Sequence, residues 1–321
     1  MIDVSVKFAL VAGGVWLLTR HASPSRAAAA HRVWLLVLAV PLLWFGAAAL
    51  IEPAVIVRPR ASVWPESSVA PSSAATSVAV AVYVVVAGLL MARVATGALT
   101  VQRLLRHASR LPESELSALR MVAADASLDI READVPLPVT AGFVSPAVIL
   151  PAGWRDMRAS ALAAIVRHEA AHVRRMDCSV ALGCALIEAV CWFHPAVWLA
   201  TSRIRWFAEM ACDAAAVRAM DAGQYAAELL ALAGDRGPRS TPFAITAGAH
   251  TAIARRIGLL LDEIEGRRRR NLVPWATAGV LIVAPCLMTV SIGATARPEI
   301  DAPEHAIVHQ QRHQREHAGR H

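Results

Sequence analysis

The sequence predicts a mainly α-helical membrane protein in which four transmembrane helices carry a cytoplasmic α+β domain. Hydrophobic residues make up 56% of the 321 residues and charged residues only 18%. That composition is typical of a membrane protein with a modest soluble part. Four apolar stretches are unevenly spaced along the chain, which leaves residues 101–270 for a folded domain between the third and the fourth.

Each apolar stretch is a candidate membrane span by length and composition. The first contains Lys7 and is short, but most of the nearby positive charges follow it. A cleaved signal peptide carries its positive charges in front, so we expect an N-terminal anchor. The four stretches are Val4–Leu18, Val33–Ile51, Ser77–Leu99 and Leu272–Ala294.

Arginines between the stretches predict the orientation of the chain. Three of them lie in the first loop, and the run "GRRRR" (Gly266–Arg270) precedes the fourth stretch. Positive residues accumulate on the cytoplasmic side, so both segments should lie there. We expect a multi-pass protein of the cytoplasmic (inner) membrane with both termini outside. The expected divisions are a three-helix region, a cytoplasmic domain, a fourth span and an extracytoplasmic tail, at residues 1–100, 101–270, 271–294 and 295–321.

The net charge of +7 comes almost entirely from arginine, since Lys7 is the only lysine. These arginines are scattered or flank apolar runs, and a basic surface for nucleic acid would need them clustered. We therefore expect the lipid bilayer as a partner and no direct contact with nucleic acid. The sequence leaves the oligomeric state open, and a homodimer is one compatible assembly.

The cytoplasmic region divides into short patterned segments. Prolines within and beside the strand-like runs favour edge positions, so we expect a small sheet with an open edge around Val144–Leu150. The run Ser179–Trp192 is too short for a confident span and suits a buried or membrane-hugging helix. A helix is predicted to start at His194, because Pro195 would lie in its first turn, where proline is favoured. The other predicted elements are a helix opening near Ser114, strands at Val135–Thr140 and Val144–Leu150, and helices at Met157–Arg175 and from His194 to about Met220.

The stretch "RHEAAHVRRMD" (Arg167–Asp177) has the pattern of a metal site. On a helix, His168 and His172 lie one turn apart on one face and can bind a single metal ion. Glu169 lies beside them and could take a proton from a zinc-activated water as general base. The alternative is an amphipathic helix with incidental histidines. The flanking arginines are costly in hydrocarbon, so we expect the site in the cytoplasmic part or at its membrane rim.

A catalytic zinc needs a third protein ligand. Glu209 in "EMACD" is the best candidate, and Asp213 lies one helical turn later on the same face. Asp213 could orient a histidine through its second nitrogen, or the two could form a solvated acidic pair. Asp177 is either another such carboxylate or a charge at a helix C-terminus. His194 and His250 are candidates for oxyanion stabilisation, although each is more often a packed or exposed histidine.

The order of several motifs resembles the BlaR/MecR-type membrane zinc metallopeptidases, whose relatives signal beta-lactam exposure. The resemblance covers roughly residues 1–295. It implies a zincin-like domain of the gluzincin type, with Zn²⁺ bound by His168, His172 and Glu209, and with Glu169 as the catalytic glutamate. It also implies cleavage of a cytoplasmic regulatory protein, typically a penicillinase-repressor-type transcriptional repressor, on an external signal. The motifs are the three N-terminal spans, "VPLPVTAGFVSPAVILPAGW", "HEAAHVRRMD", "WFHPAVW", "EMACD" and the fourth span.

The chain departs from the antibiotic sensors of that family after its fourth apolar stretch. The sensors carry a large penicillin-binding domain there, whereas residues 295–321 contain no S-x-x-K motif. We expect no beta-lactam sensing through an attached domain, which leaves the spans, the outer loop or a partner to receive a signal. The tail has a histidine at every fourth position, which could bind metal pairwise if helical or be a solvated polar tail. These are His305, His309, His313, His317 and His321.

Two other functions compete with a protease. One is a non-catalytic membrane receptor with a structural zinc site, and the other is a metal-handling protein centred on the histidine tail. Glu169 favours the enzyme, because a structural site needs no general base. We also expect a substrate peptide to add to the open sheet edge around Val144–Leu150 by main-chain hydrogen bonds.

Overall fold

A computed structural model of the chain describes most of its N-terminal two thirds. The chain divides into two compact units, Met1–Ala278 and Gly279–His321, and the second lies wholly outside the described residues. The predicted fourth span, the histidine tail and His250 also lie outside the described residues. The described parts are residues 2–50, 73–218, 220–234 and 254–262.

Helices dominate the described residues. The first three coincide with the first three apolar stretches, but one helix in these parts, Ala74–His107, is long and apolar enough to cross a membrane by length and composition. The prediction of four spans therefore stays a prediction. The helices are α1 (Ile2–Thr19), α2 (Ala27–Leu50), α3 (Ser73–His107), α4 (Glu113–Ala123), α5 (Ala159–Arg175), α6 (Asp177–Val190), α7 (Pro195–Val217), α8 (Ala222–Gly234) and α9 (254–262).

A small mixed sheet completes the domain, as the sequence predicted, with strands in the order β1-β2-β4-β3. The pair β2 and β4 is parallel, while β1 and β3 run antiparallel to their neighbours. Gly142 has a φ of 113° in the turn between β3 and β4, and a Cβ there would lie 2.8 Å from a backbone oxygen, so glycine is required. The strands are β1 (Ser109–Arg110), β2 (Ile130–Ala133), β3 (Val139–Ala141) and β4 (Ala147–Pro151).

The position of the sheet edge corrects the sequence prediction. The run around Val144–Leu150 was expected at the open edge, but β4 lies between β2 and β3. Residues 147–150 are fully buried, as expected for a strand covered on both faces. The edge strands are β1 and β3, and β3 follows Pro136 and Pro138, which are tolerated at a sheet edge.

The apolar helix α3 continues directly into the domain. Its last part, Val101–Leu105, packs against Ala141, Ala147 and Ile149 on one face of the sheet. On the other face, α4 and α5 pack against β2 and β4 around Ile130 and Val166. The sheet thus lies between α3 on one side and the helix that carries the two motif histidines on the other.

The junction between α5 and α6 places Asp177 differently from the prediction. Met176 adopts the left-handed conformation with a φ of 56°, and its N–H bonds to carbonyls of the last turn of α5. Such a residue ends a helix and turns the chain. Asp177 is consequently the first residue of α6 and not the end of α5. Pro195 opens α7 as predicted, and the side chain of His194 caps it by accepting from Ala196 N.

Candidate metal centre

Three side chains from two helices converge on one point. His168 Nε2 lies 3.1 Å from His172 Nε2 on α5, and 3.7 Å from Glu209 Oε2 on α7. His172 Nε2 lies 3.5 Å from Glu209 Oε1. A tetrahedral zinc ion with ligands at about 2.0–2.1 Å holds neighbouring ligand atoms about 3.3–3.4 Å apart. The donor atoms, all of types that zinc prefers, therefore have the separations needed to bind one zinc ion.

The second nitrogen of each histidine contacts a buried carboxylate. His172 Nδ1 lies 2.8 Å from Asp177 Oδ2, and His168 Nδ1 lies 3.2 Å from Asp213 Oδ1. Asp213 is only 1% exposed, which does not fit a solvated acidic pair with Glu209. A carboxylate behind an imidazole fixes its tautomer and turns the other nitrogen toward the metal. Both aspartates that the sequence singled out are thus positioned to orient the candidate ligands.

Arg256 on α9, whose side chain is 12% exposed, connects the two carboxylates of α7. Arg256 donates to both oxygens of Asp213, from Nε at 2.7 Å and from Nη2 at 2.5 Å. Its Nη1 lies 2.8 Å from Glu209 Oε2. Tyr225 from α8 also donates to Asp213 Oδ1 at 2.7 Å. Arg256 and Tyr225 were not singled out from the sequence. A buried Asp213 needs a cationic or hydrogen-bonding partner, so its burial predicts that some residue supplies one.

The contacts among these groups shift their protonation. Burial alone would lower the pKa of His168, but the neighbouring carboxylates of Asp213 and Glu209 outweigh it and raise that pKa to about 10. Burial alone would raise the pKa of Glu209, but the neighbouring imidazole of His168 and the charge of Arg256 lower it to about 2. Without metal, His168 is therefore protonated at neutral pH while Glu209 is ionised. Since a metal needs neutral imidazole, binding must release the proton of His168.

Zinc affinity is expected to rise with pH, by up to about tenfold per unit between pH 6 and pH 9. The raised pKa of His168 stabilises the metal-free fold fully below its unfolded pKa of 6.5, and this stabilisation is lost as the pH rises through about 10. Zinc competes with that proton, so its affinity increases over the same window. Titration calorimetry in two buffers of different ionisation enthalpy should show about one proton released per zinc through this group. An affinity independent of pH, with no proton released, would contradict the arrangement.

Glu169 lies beside the three donor atoms and is fixed by the edge strand. Thr140 Oγ1 on β3 donates to Glu169 Oε2 at 2.7 Å. Glu169, His168 and Glu209 together line two cavities of about 180 and 370 Å³. Pro138, just before β3, lines both cavities as well. The centre is therefore open on two sides, which is a property of catalytic zinc sites and not of closed structural ones.

A second cluster of potential ligands lies behind His172 and consists of His172, Asp177 and Cys212. Burial raises the pKa of the Cys212 thiol, so the thiolate that a metal requires is disfavoured. A metal there would also break the link from His172 Nδ1 to Asp177. This cluster is therefore better suited to hold His172 in place as a candidate zinc ligand than to bind a second metal ion.

The helix α2 also reaches the group behind His172. His31 on α2 lines the larger cavity, and its Nε2 lies 4.0 Å from Asp177 Oδ1. Within the described residues, neither of these two buried atoms has a hydrogen-bond partner. One water could bridge them, since buried polar atoms are commonly satisfied in this way. His31 was not singled out from the sequence, because nothing in the local pattern of α2 marks it.

The candidates for oxyanion stabilisation are not brought to the centre. His194 caps α7 and packs its ring against Phe8 of α1 at 5.1 Å between centroids. It lines neither of the two cavities. His250 lies outside the described residues. In the described part of the chain, His194 therefore caps a helix and does not lie at the candidate metal centre.

Comparison with known proteins agrees with this geometry. A family model described as BlaR1 peptidase M56 matches residues 1–260. The regulatory protein BlaR1 of Bacillus licheniformis is 30% identical over 84 residues, which are 26% of this chain and 14% of that protein. The matched segment thus spans well under two thirds of the relative's length. The family match confirms the resemblance that the order of the motifs indicated.

Proposed function

The chain belongs to the BlaR1 peptidase M56 family, and on that premise we propose that it is a membrane-anchored zinc endopeptidase that cleaves a cytoplasmic regulatory protein. The observation that carries the proposal is the spacing of His168, His172 and Glu209 around one point, with Glu169 beside it. A non-catalytic receptor with a structural zinc site would need no such open centre.

Each side chain has a separate task in the proposed reaction. His168, His172 and Glu209 would bind zinc, which when bound supplies a Lewis acid that polarises a carbonyl and makes water more acidic. Glu169 accepts a proton from the attacking water and returns it to the departing amine. Thr140 holds the carboxylate of Glu169 in place through its Oε2.

We place the substrate peptide along β3. This strand pairs with β4 on one side, and Thr140 within it contacts Glu169 directly. An extended peptide that adds to the edge by main-chain hydrogen bonds would therefore pass in front of Glu169 and the three metal ligands. The family resemblance suggests a penicillinase-repressor-type transcriptional repressor as the substrate.

In this proposal, an external signal reaches the metal centre through helix α2, which contacts the groups around the metal ligands. α2 packs against both α1 and α7, and α7 carries Glu209 and Asp213. His31 extends the contact of α2 to Asp177, which in turn holds His172. A displacement of α2 in the membrane would thus change the positions of the groups that orient two metal ligands.

Zinc-dependent proteolysis is the expected result when the chain is produced in bacterial cells beside candidate repressors. New protein N-termini should appear with the wild type and be missing with His172→Ala, because that variant loses one of three zinc ligands. Mass spectrometry of protein N-termini measures this across the whole proteome and requires no prior choice of substrate. Identical N-termini in the two strains, under every inducing condition tried, would contradict the proposal.

A further inference from the structure

Large apolar side chains are exposed where α6 turns into α7. Four of them lie within residues 186–198, which we term the hairpin tip. Leu186 is 39% exposed, Val190 47%, Phe193 58% and Trp198 44%. A cluster of large exposed apolar side chains of this kind marks a surface that contacts a membrane or another protein.

The hairpin tip contacts the apolar part of α3. Tyr83 Oη donates to the backbone oxygen of Val190 at 3.0 Å, and its ring meets that of Phe193 edge to face at 6.2 Å. Tyr83 belongs to Ser77–Leu99, the stretch predicted to cross the bilayer. Valines around Tyr83, such as Val80 and Val84, are more than half exposed. The exposed surface of the tip is therefore continuous with the exposed apolar surface of α3.

The lengths of the helices give the depth of the tip. α6 has 14 residues and spans about 20 Å at 1.5 Å per residue, from Asp177 beside His172 to Val190. Along α3, the distance from Tyr83 to Leu99 is about 24 Å by the same rule. The hydrocarbon core of a bilayer is about 30 Å thick. A tip level with Tyr83 lies well inside that core, while the metal centre lies at its cytoplasmic rim.

Most polar side chains near the tip find partners within the hairpin, although Trp192 Nε1 is buried without a partner among the described residues. Glu188 accepts from Arg205 at 2.6 Å and from the hydroxyl of Thr201. Trp198 Nε1 donates to the backbone oxygen of Trp192 at 2.8 Å. Charged side chains in hydrocarbon pair with one another, and polar groups there must find internal partners. The hairpin meets this requirement at Glu188, the acidic side chain within residues 186–198.

We propose that the hairpin formed by α6 and the first half of α7 inserts into the bilayer from the cytoplasmic side, beside α3, and that lipid acyl chains cover residues 186–198. Lipid is the occupant because α3 already presents its apolar surface to the bilayer on the same side. The hairpin would hold the metal centre about 20 Å from its tip, at the membrane surface. Substrates would then reach the centre only along that surface. This inference does not depend on catalysis.

Photo-crosslinking tests the occupant of this surface directly. The full chain, with p-benzoylphenylalanine in place of Phe193 or of Leu186, is reconstituted in phosphatidylethanolamine and phosphatidylglycerol vesicles and irradiated. The same group at Val80 of α3 is the positive control, and at Met121 of α4, which is 77% exposed, it is the negative control. Lipid adducts measured by mass spectrometry are expected at Phe193, Leu186 and Val80, and not at Met121.

Other products would identify a different occupant. Crosslinks from Phe193 to a second copy, or to another segment of the same chain, would overturn the proposal in favour of protein contacts. So would the absence of lipid adducts at Phe193 when Val80 forms them. Zinc binding equal to that of the wild type would verify that each labelled chain is folded.

Discussion

A Glu169→Gln variant is expected to lose proteolysis by a factor of about 10²–10⁴ while it binds zinc as the wild type does. The amide keeps the shape of the side chain, and its oxygen can still accept the hydrogen bond from Thr140. It cannot accept a proton from water at neutral pH, so the general base is lost. The three candidate ligands, His168, His172 and Glu209, are unchanged. Zinc content by mass spectrometry and cleavage rates of a mapped substrate measure the two effects separately.

The matched control for this variant is Glu113→Gln, which makes the same chemical change at the start of α4. Glu113 has 78% of its side chain exposed, and its ion pair with Arg120 is long at 3.5 Å. Both zinc content and cleavage should stay unchanged there, because exposed pairs contribute little. If Glu169→Gln cleaved at the wild-type rate, Glu169 would not be the general base. The zinc site would then be structural, which favours the non-catalytic receptor.

The candidate metal site was largely predictable because its main pattern is local. On a helix, two residues four positions apart share a face whatever the rest of the fold does, which fixes His168 with His172 and Glu209 with Asp213. Tertiary folding then brings these two helical faces together. Arg256 comes from a distant segment with no periodic signal, so only the fold reveals its contact with Asp213.

The sheet was less predictable than the helices. Ile130–Ala133 alternates weakly and contains two charged residues, so it carries little strand signal, yet it becomes a central strand. The apolar run in β4 indicated a strand correctly but not its place in the sheet. Whether a strand is central or at the edge depends on which other strands pair with it, and a single strand's sequence does not contain that information.

The contacts around the centre also show that the apolar helices α2 and α3 cannot be treated separately from the residues around the candidate metal centre. α3 continues into the packing of the sheet, and His31 on α2 faces Asp177. Glu209 lies on the same helix as Trp198 of the hairpin tip. A movement of any of these helices would therefore reach the candidate metal ligands through packed side chains.

An Asp213→Ala variant is expected to lower the free energy of unfolding by about 3–5 kcal/mol and zinc affinity by about 10–100-fold. Burial alone would raise the pKa of Asp213, but hydrogen bonds from Arg256 and His168 lower it, so the buried carboxylate is ionised. Its removal leaves the largely buried guanidinium of Arg256 with Glu209 as its remaining carboxylate among these contacts. It also removes the carboxylate from the second nitrogen of His168, which keeps only the hydroxyl of Tyr225 at 3.0 Å among the described contacts. Thermal unfolding with and without zinc, and zinc titration, measure the two losses.

A double-mutant cycle separates the ion pair from the loss of side-chain volume. Arg256→Met removes the charge and keeps much of the length, so combining it with Asp213→Ala should cost less than the two single losses added together. Asp129→Ala is the control, since Asp129 is paired with Arg131 but 41% exposed, and it should cost less than about 1 kcal/mol. Additive losses in the cycle would mean that Arg256 and Asp213 do not stabilise each other. The low zinc affinity should remain in the double variant, because neither substitution restores a carboxylate behind His168.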